Sequence, residues 1–104
     1  MNAKSKIVII GCSGAGALAA MTLKKKQPTL GITVLREEDE QGLLTRCATP
    51  YICCGDVLVE PSYKDDSIFT NAGIQVVNSA AKTIDRKRKV VTSVGGQEFR
   101  YDKL

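Results

Sequence analysis

The cysteines of this sequence, Cys12, Cys47, Cys53 and Cys54, are the residues best suited to covalent chemistry. A cysteine thiolate is a nucleophile and a redox centre, and its reactivity is controlled by its pKa. Structural zinc sites use cysteine pairs of the Cys-x2–4-Cys type, often together with histidines. The sequence has no histidine and no such pair. We therefore expect thiol chemistry and no metal site.

Cys47 begins the segment that contains three of these thiols, Cys47-Ala48-Thr49-Pro50-Tyr51-Ile52-Cys53-Cys54-Gly55. Cys47 is the candidate for a single redox-active thiol. A redox pair of Cys47 with Cys54 is an alternative, because in a helix their spacing of about two turns places them on one face. An inert buried Cys47 is the third interpretation. Cys12 is expected to be a small buried residue behind a turn.

A glycine-rich run begins at Gly11, after an apolar run and before a series of small residues. The pattern G-x-G-x-x-G is met at Gly11 and Gly16, with Ser13 at its middle position. The first glycine permits a tight turn, the middle position lets a pyrophosphate approach the backbone, and the last permits close packing of helix on strand. Amide groups at a helix start bind phosphates. The run predicts a dinucleotide site, and a tight turn without a ligand is the alternative.

The elements around this run form a predicted βαβ unit. Residues 6–10 and 31–35 are short apolar runs typical of buried parallel strands, and the helix between them ends in three lysines before Pro28. In such units an acidic residue follows the second strand and binds the ribose hydroxyls. Arg36 occupies that place and Glu37 follows it. Either Glu37 binds the ribose in a shifted register, or Arg36 binds a 2′-phosphate, or both form an ordinary charged strand end.

The rest of the chain predicts a third strand and an antiparallel meander. Ile74–Asn78 is the third strand, and residues 82–85, 89–94 and 98–101 alternate with turn signals. The basic turn at 86–89 is expected to be an exposed loop. Between the second and third strands we expect a charged loop at 36–42, a short helix or irregular segment at 45–59 and a short helix at 61–69. The fold class is therefore α/β and Rossmann-like.

Length and composition limit the function classes. The chain has 104 residues, enough for one domain, with 43% hydrophobic and 25% charged residues. A net charge of +4 with few aromatic residues does not favour a nucleic-acid partner. No apolar run is long enough for a membrane span or a secretion signal. We expect a cytoplasmic protein with neither a membrane nor a nucleic acid as partner.

The cysteine segment and the glycine turn together resemble a known family. Cys47-Ala48-Thr49-Pro50-Tyr51 is similar to the Cys-(Gly/Ala)-x-Pro-Tyr segment of the FAD-dependent pyridine nucleotide-disulfide oxidoreductases, above all the coenzyme A-disulfide reductases and related NADH oxidases. The run Lys6–Gly11 resembles the first strand of that family, and residues 84–104 resemble its meander. Arg46 departs from the asparagine often found before the cysteine, and Cys53 and Cys54 replace a glycine or an aliphatic residue.

The resemblance implies an FAD-binding domain in which electrons pass from NAD(P)H through FAD to Cys47. From there they would reach a disulfide, a sulfur species, peroxide or oxygen. The flavin ring would lie against the segment around Cys47, and backbone atoms near Ala81 would contact the adenine. The implied cofactor-binding residues are Gly11, Ser13, Gly14, Ala15, Gly16, Arg36, Glu37, Pro50 and Ala81.

Members of this family are longer, so the resemblance implies that residues 1–104 are the N-terminal FAD-binding fragment of a parent enzyme. The NAD(P)H-binding and interface domains would be its partners. We expect the fragment to bind FAD weakly or not at all, to be inactive alone, and to form a homodimer through an exposed sheet edge. A stand-alone dinucleotide-sensing module without redox chemistry is one alternative. A structural or regulatory subunit of a larger complex is another.

Overall fold

A parallel sheet of three strands, in the order Lys6–Ile10, Gly31–Arg36 and Gln75–Asn78, forms the centre of the structure. The computed structural model describes residues 4–37, 43–44, 50, 53–55, 63–64 and 67–104. The elements in chain order are β1 (Lys6–Ile10), α1 (Gly14–Lys26), β2 (Gly31–Arg36), β3 (Leu43–Leu44), β4 (Tyr63–Lys64), α2 (Ser67–Asn71), β5 (Gln75–Asn78), β6 (Ala81–Asp85), β7 (Val90–Ser93) and β8 (Glu98–Arg100). The predicted α/β class, the βαβ unit and the third strand are confirmed.

Successive side chains of the strands point to opposite faces of the sheet, and the sheet carries a buried apolar core on each face. On one face, Ile7, Ile32 and Val34 pack against α1 and α2 in a core that includes Ala20 and Phe69. The other face packs against the meander, and its core contains Val8, Leu35 and Val91. The continuous apolar runs of β1 and β2 follow from this double coverage.

Helix α1 joins β1 to β2 and covers one face of the sheet. Its alanines and leucines favour helix formation, and the buried Ala17 and Ala20 let it lie close to the strands. At its end, the Gln27 N–H donates to the Leu23 carbonyl at 2.9 Å. The Lys24 ammonium donates to the Leu30 carbonyl at 2.6 Å, which ties the helix end to the start of β2.

The antiparallel meander β6-β7-β8 is confirmed and covers the second face. The turn at 86–89 is held by Asp85, whose Oδ1 accepts hydrogen bonds from the N–H groups of Lys87 and Arg88 at 3.1 Å each. Lys89 closes the turn in a left-handed conformation with φ 54°. The side chains of this turn are exposed, as expected.

The free side of β1 is partly paired by the residues that follow the meander. The Asp102 N–H donates to the Lys6 carbonyl at 2.7 Å, and the Val8 N–H donates to the Lys103 carbonyl at 3.1 Å. Ile7 and Lys103 form a parallel bridge. Beyond Val8, the side chain of Ile10 is 45% exposed. This edge is therefore covered at its amino end, whereas no strand among the described residues pairs with it at its carboxyl end.

Two predictions between β2 and β5 were wrong in part. The expected helix at 61–69 is replaced at Tyr63–Lys64 by a strand that pairs with β3, and the helix covers Ser67–Asn71. Gly73, with φ 80°, ends that helix in a Schellman motif, in which the Ile74 N–H donates to the Phe69 carbonyl at 2.9 Å. Arg36 belongs to β2 and not to a loop, because β5 continues the ladder beside it. Residues 38–42 and most of 45–59 lie outside the described residues.

Candidate dinucleotide site

The glycine turn lies at the carboxyl edge of the parallel sheet, between β1 and α1. Gly11 has φ 103°, a conformation that an L side chain rarely adopts, and its N–H donates to the Leu35 carbonyl at 2.8 Å. This bond fixes the turn to the end of β2. In open α/β sheets, ligands bind at this edge, where adjacent strand ends leave a crevice.

Gly16 is required by close packing of the helix against the turn. A Cβ built at Gly16 would lie 2.0 Å from the Gly11 carbonyl oxygen and 3.5 Å from the Ile9 Cγ2. No real side chain fits at the first distance. The turn therefore keeps the tight helix-on-strand contact that the last glycine of the sequence pattern is expected to supply.

The outer side of the same turn is open. A Cβ built at Gly14 would meet nothing within 4 Å, and Gly14 and Ala15 are exposed. The Ser13 side chain makes no capping hydrogen bond, and the first turn of α1 has no acidic residue. The first hydrogen bond of the helix runs from the Ala17 N–H to the Ser13 carbonyl. The preceding amide groups point out of the helix start, where an anion can bind.

A buried cation lies at the neighbouring strand ends. Arg36, the last residue of β2, is only 4% exposed. Its Nε donates to the Asn78 side-chain oxygen at 2.5 Å, and the two residues are register partners on β2 and β5. Glu37 follows and is exposed. The structure therefore brings Arg36 and Asn78 to the same edge as the glycine turn. Sequence reasoning missed Asn78, although both residues end parallel strands.

Ala81 begins β6 just after the end of β5, so it also lies near this edge. It is half-buried and packs against the core that contains Val8 and Leu35. The Val94 N–H donates to the Ala80 carbonyl at 2.9 Å, which fixes the approach of β6. The nearby Ser79 hydroxyl is buried and makes no hydrogen bond among the described residues. The predicted adenine region thus combines a fixed backbone with a buried polar group.

The cysteines are described only in part. Cys47, the predicted redox-active thiol, lies outside the described residues. Pro50 is helical and exposed, and its carbonyl accepts a hydrogen bond from the Cys54 N–H at 3.2 Å. Cys53 and Cys54 are exposed reduced cysteines, whereas Cys12 is buried as expected. Within the described part of the chain, no group of three potential metal ligands comes together. No helix there is long and apolar enough to cross a membrane.

Comparison with known proteins identifies relatives over nearly the whole chain. No protein-family model matches. Rubredoxin-NAD(+) reductase of Pseudomonas putida is 32% identical over 104 residues, which cover 94% of this chain and 26% of that protein. The structure also matches sulfide:quinone oxidoreductase from Aquifex aeolicus, with a TM-score of 0.85 and 25% identity over 94% of this chain and 23% of that one.

A second matching structure also belongs to an oxidoreductase. A pyridine nucleotide-disulfide family oxidoreductase from Enterococcus faecalis V583 matches with a TM-score of 0.72 and 24% identity, over 95% of this chain and 21% of that one. In fold, the chain is similar to these oxidoreductases. The resemblance expected from the cysteine segment and the glycine turn is thereby confirmed. The fold is that of the FAD- and NAD(P)-binding domains of these oxidoreductases. The chain spans about a quarter of the length of the curated relative that it matches.

Proposed function

We propose that the chain is the FAD-binding portion of a flavin-dependent pyridine nucleotide-disulfide oxidoreductase. The open glycine turn carries this proposal most directly, because it presents amide groups to solvent at the carboxyl edge of the sheet. In the proposed complex, backbone groups of Gly11 and of residues 13–16 hold the pyrophosphate. The Gly16 contact keeps the turn in that shape, and Arg36 faces the ribose region.

Bound FAD would supply hydride acceptance from NAD(P)H and electron transfer to sulfur. The protein's own contribution is to bind the dinucleotide in one orientation. In this proposal Cys47 is the redox-active thiol, and a neighbouring cation at Arg46 favours its thiolate form. The electron acceptor is a disulfide, a sulfur species or oxygen. A reducing cytoplasm would keep Cys47 available as a thiol.

Arg36 favours a second candidate function, a stand-alone module that binds a dinucleotide without redox chemistry. An acidic residue at the end of the second strand is the usual ribose ligand, whereas an arginine there accommodates a 2′-phosphate. The two candidates differ in ligand preference. Tighter binding of NADP⁺ than of FAD by the 104-residue chain would favour the sensing module.

The test of the FAD proposal is a titration of the chain with FAD, followed by flavin fluorescence and the visible spectrum. Gly14→Asp places a carboxylate on the open side of the turn, where a new Cβ meets no atom within 4 Å. We expect the 104-residue chain to bind FAD weakly, and the variant to bind it about tenfold or more less tightly, because the new carboxylate repels the pyrophosphate. Gly31→Asp is the matched control. Its site is equally open but lies at the amino end of β2, away from the glycine turn, so FAD affinity should not change.

Equal affinity of both variants and the parent chain would count against a flavin site at the glycine turn. If the FAD affinity of the Gly14→Asp variant equals that of the unsubstituted chain, the cofactor binds elsewhere. Loss of binding in both variants would show sensitivity to net charge and not a site at this turn.

The proposal includes a second copy of the chain as partner, through the open end of the β1 edge near Ile10. Exposed strand edges pair with other chains, and a charged residue prevents this. We expect concentration-dependent dimers in sedimentation that Ile10→Lys abolishes. Val94→Lys replaces a side chain of similar exposure, 53%, in a turn and should leave them intact. Equal loss in both variants, or a monomer at every concentration, would contradict pairing through this edge.

A further inference from the structure

A strongly basic cavity lies at the amino edge of the sheet, opposite the glycine turn. Its volume is about 320 Å³. Cations from three separate segments converge on it: the residues before and at the start of β1, the β6–β7 turn, and the end of β8. The lining residues are Lys4, Lys6, Lys87, Arg88, Lys89, Arg100, Tyr101 and Asp102. We call this the basic cavity. The lining thus includes six cationic residues and one carboxylate.

The carboxylates near the basic cavity are already engaged. Asp102 accepts a hydrogen bond from the backbone N–H of Lys6 at 2.7 Å. Asp85 accepts the turn amides, and Glu98 forms an exposed ion pair with Arg88 at 3.7 Å. Among the described residues, Lys87, Lys89 and Arg100 form no ion pair. The repulsion among these cations is therefore only partly balanced within the described chain.

The backbone around the basic cavity is fixed before any ligand arrives. Asp85 orders the turn, and the Tyr101 N–H donates to the Lys89 carbonyl at 3.0 Å, which ties the turn to the end of β8. Lys89 holds a left-handed conformation in which glycine or asparagine is normally favoured. A cation therefore stands where the backbone favours a different residue type. This preorganisation lowers the conformational entropy that the protein must lose when an anion binds.

We propose that the basic cavity binds a small anion that carries two or more phosphoryl groups. Guanidinium groups such as that of Arg100 match phosphate oxygens in a planar fork, and lysines add point charges. The half-buried Tyr101 forms one wall. The cavity has the size of a small-molecule site. An acidic protein would need a broader surface, on the order of 800 Å² on each partner. This site is separate from the glycine turn and independent of the function proposed for it.

The proposal is tested by calorimetric titration of the 104-residue chain with tripolyphosphate and with inorganic phosphate at equal ionic strength. We expect one tripolyphosphate per chain, bound about tenfold or more tightly than phosphate. The double variant Lys87→Gln/Arg100→Gln removes two exposed cations from the cavity and should weaken tripolyphosphate binding about tenfold or more. Lys25→Gln/Lys26→Gln removes the same charge from the exposed end of α1 and should leave it unchanged.

Amide chemical shifts in a parallel titration locate the ligand. Shifts at residues 87–89 and 100–102 are expected. Shifts confined to Gly11–Gly16 would overturn the proposal and assign the polyphosphate to the glycine turn. An equal loss in the two double variants would also overturn it, since that result reflects net charge alone. Oligonucleotides that bind more tightly than tripolyphosphate, with an affinity that rises with their length, would also overturn it. That result would indicate a nucleic-acid surface and not a small-molecule site. FAD binding should be unchanged in Lys87→Gln/Arg100→Gln, so failure of either proposal is recognised separately.

Discussion

The two edges of the parallel sheet are both suited to anions, but they achieve this by different means. At the carboxyl edge, the glycine turn presents backbone amide groups, and its defining residues, Gly11 and Gly16, carry no side chain. At the amino edge, the basic cavity presents flexible cationic side chains on a fixed turn. Backbone dipoles are set by the fold itself, whereas side-chain charges are added to it. The first edge should therefore be sensitive to shape, and the second to charge.

The largest expected effect comes from adding a methyl group at the carboxyl edge. Gly16→Ala places a Cβ where the Gly11 carbonyl oxygen lies 2.0 Å away, so the helix must move from the strand. We expect a loss of about 3 kcal/mol in the free energy of unfolding, measured by urea denaturation. FAD affinity should fall with it, because the turn changes shape.

Gly14→Ala is the control for this substitution, since its Cβ meets no atom within 4 Å. Because alanine is the better helix former, we expect unchanged stability or a gain of up to about 1 kcal/mol. Similar losses at the two positions would show that the close contact at Gly16 does not determine the turn.

Salt should weaken ligand binding at the two edges to different extents. The cations of the basic cavity are exposed, so screening weakens their attraction for a polyanion. Between 50 and 200 mM salt we expect tripolyphosphate affinity to fall roughly tenfold, by analogy with phosphate contacts in nucleic-acid complexes. FAD binding at the glycine turn should change less, because its short-range amide hydrogen bonds depend less on net charge. Parallel calorimetric titrations measure both, and equal salt dependence would remove the proposed distinction.

The carboxyl edge was largely predictable from sequence, whereas the amino edge was not. The glycine turn is encoded locally: an apolar run, small residues and Pro28 set the boundaries of β1 and α1. The hydrogen bond between Arg36 and Asn78 joins two strand ends that are 42 positions apart in the sequence. Local sequence patterns do not specify which strands pair, so this contact was not predicted. The basic cavity likewise needs three distant segments to meet. The sequence predicts an exposed loop at 86–89, which is correct. It does not show that cations from three segments come together around one cavity.

The same limit explains the error between β2 and β5. The run at 61–69 contains residues compatible with a helix, so local propensity favoured one. Pairing of Tyr63–Lys64 with Leu43–Leu44 satisfies backbone groups in a ladder instead. Tertiary pairing therefore outweighed a weak local preference. The helix begins only at Ser67 and ends at Asn71, and Gly73, with a φ of 80°, caps its C-terminus.

The smallest expected effect concerns the backbone of the amino edge. Lys89 is left-handed, which costs an L-residue roughly 1–2 kcal/mol, and glycine avoids most of that cost while losing more entropy on folding. Lys89→Gly should therefore raise the free energy of unfolding by about 0.5 kcal/mol. Lys82→Gly, at an exposed site within β6, should lower it by about 0.5–1 kcal/mol.

The informative result is the combination of stability and binding at this position. If Lys89 serves the basic cavity, Lys89→Gly yields a more stable chain that binds tripolyphosphate more weakly, whereas Lys82→Gly yields a less stable chain with unchanged binding. Urea denaturation and calorimetry on the same samples measure both quantities. A more stable Lys89→Gly chain with unchanged affinity would mean that the left-handed lysine is only a feature of the turn. The other cations of the basic cavity would then bind tripolyphosphate without a contribution from Lys89.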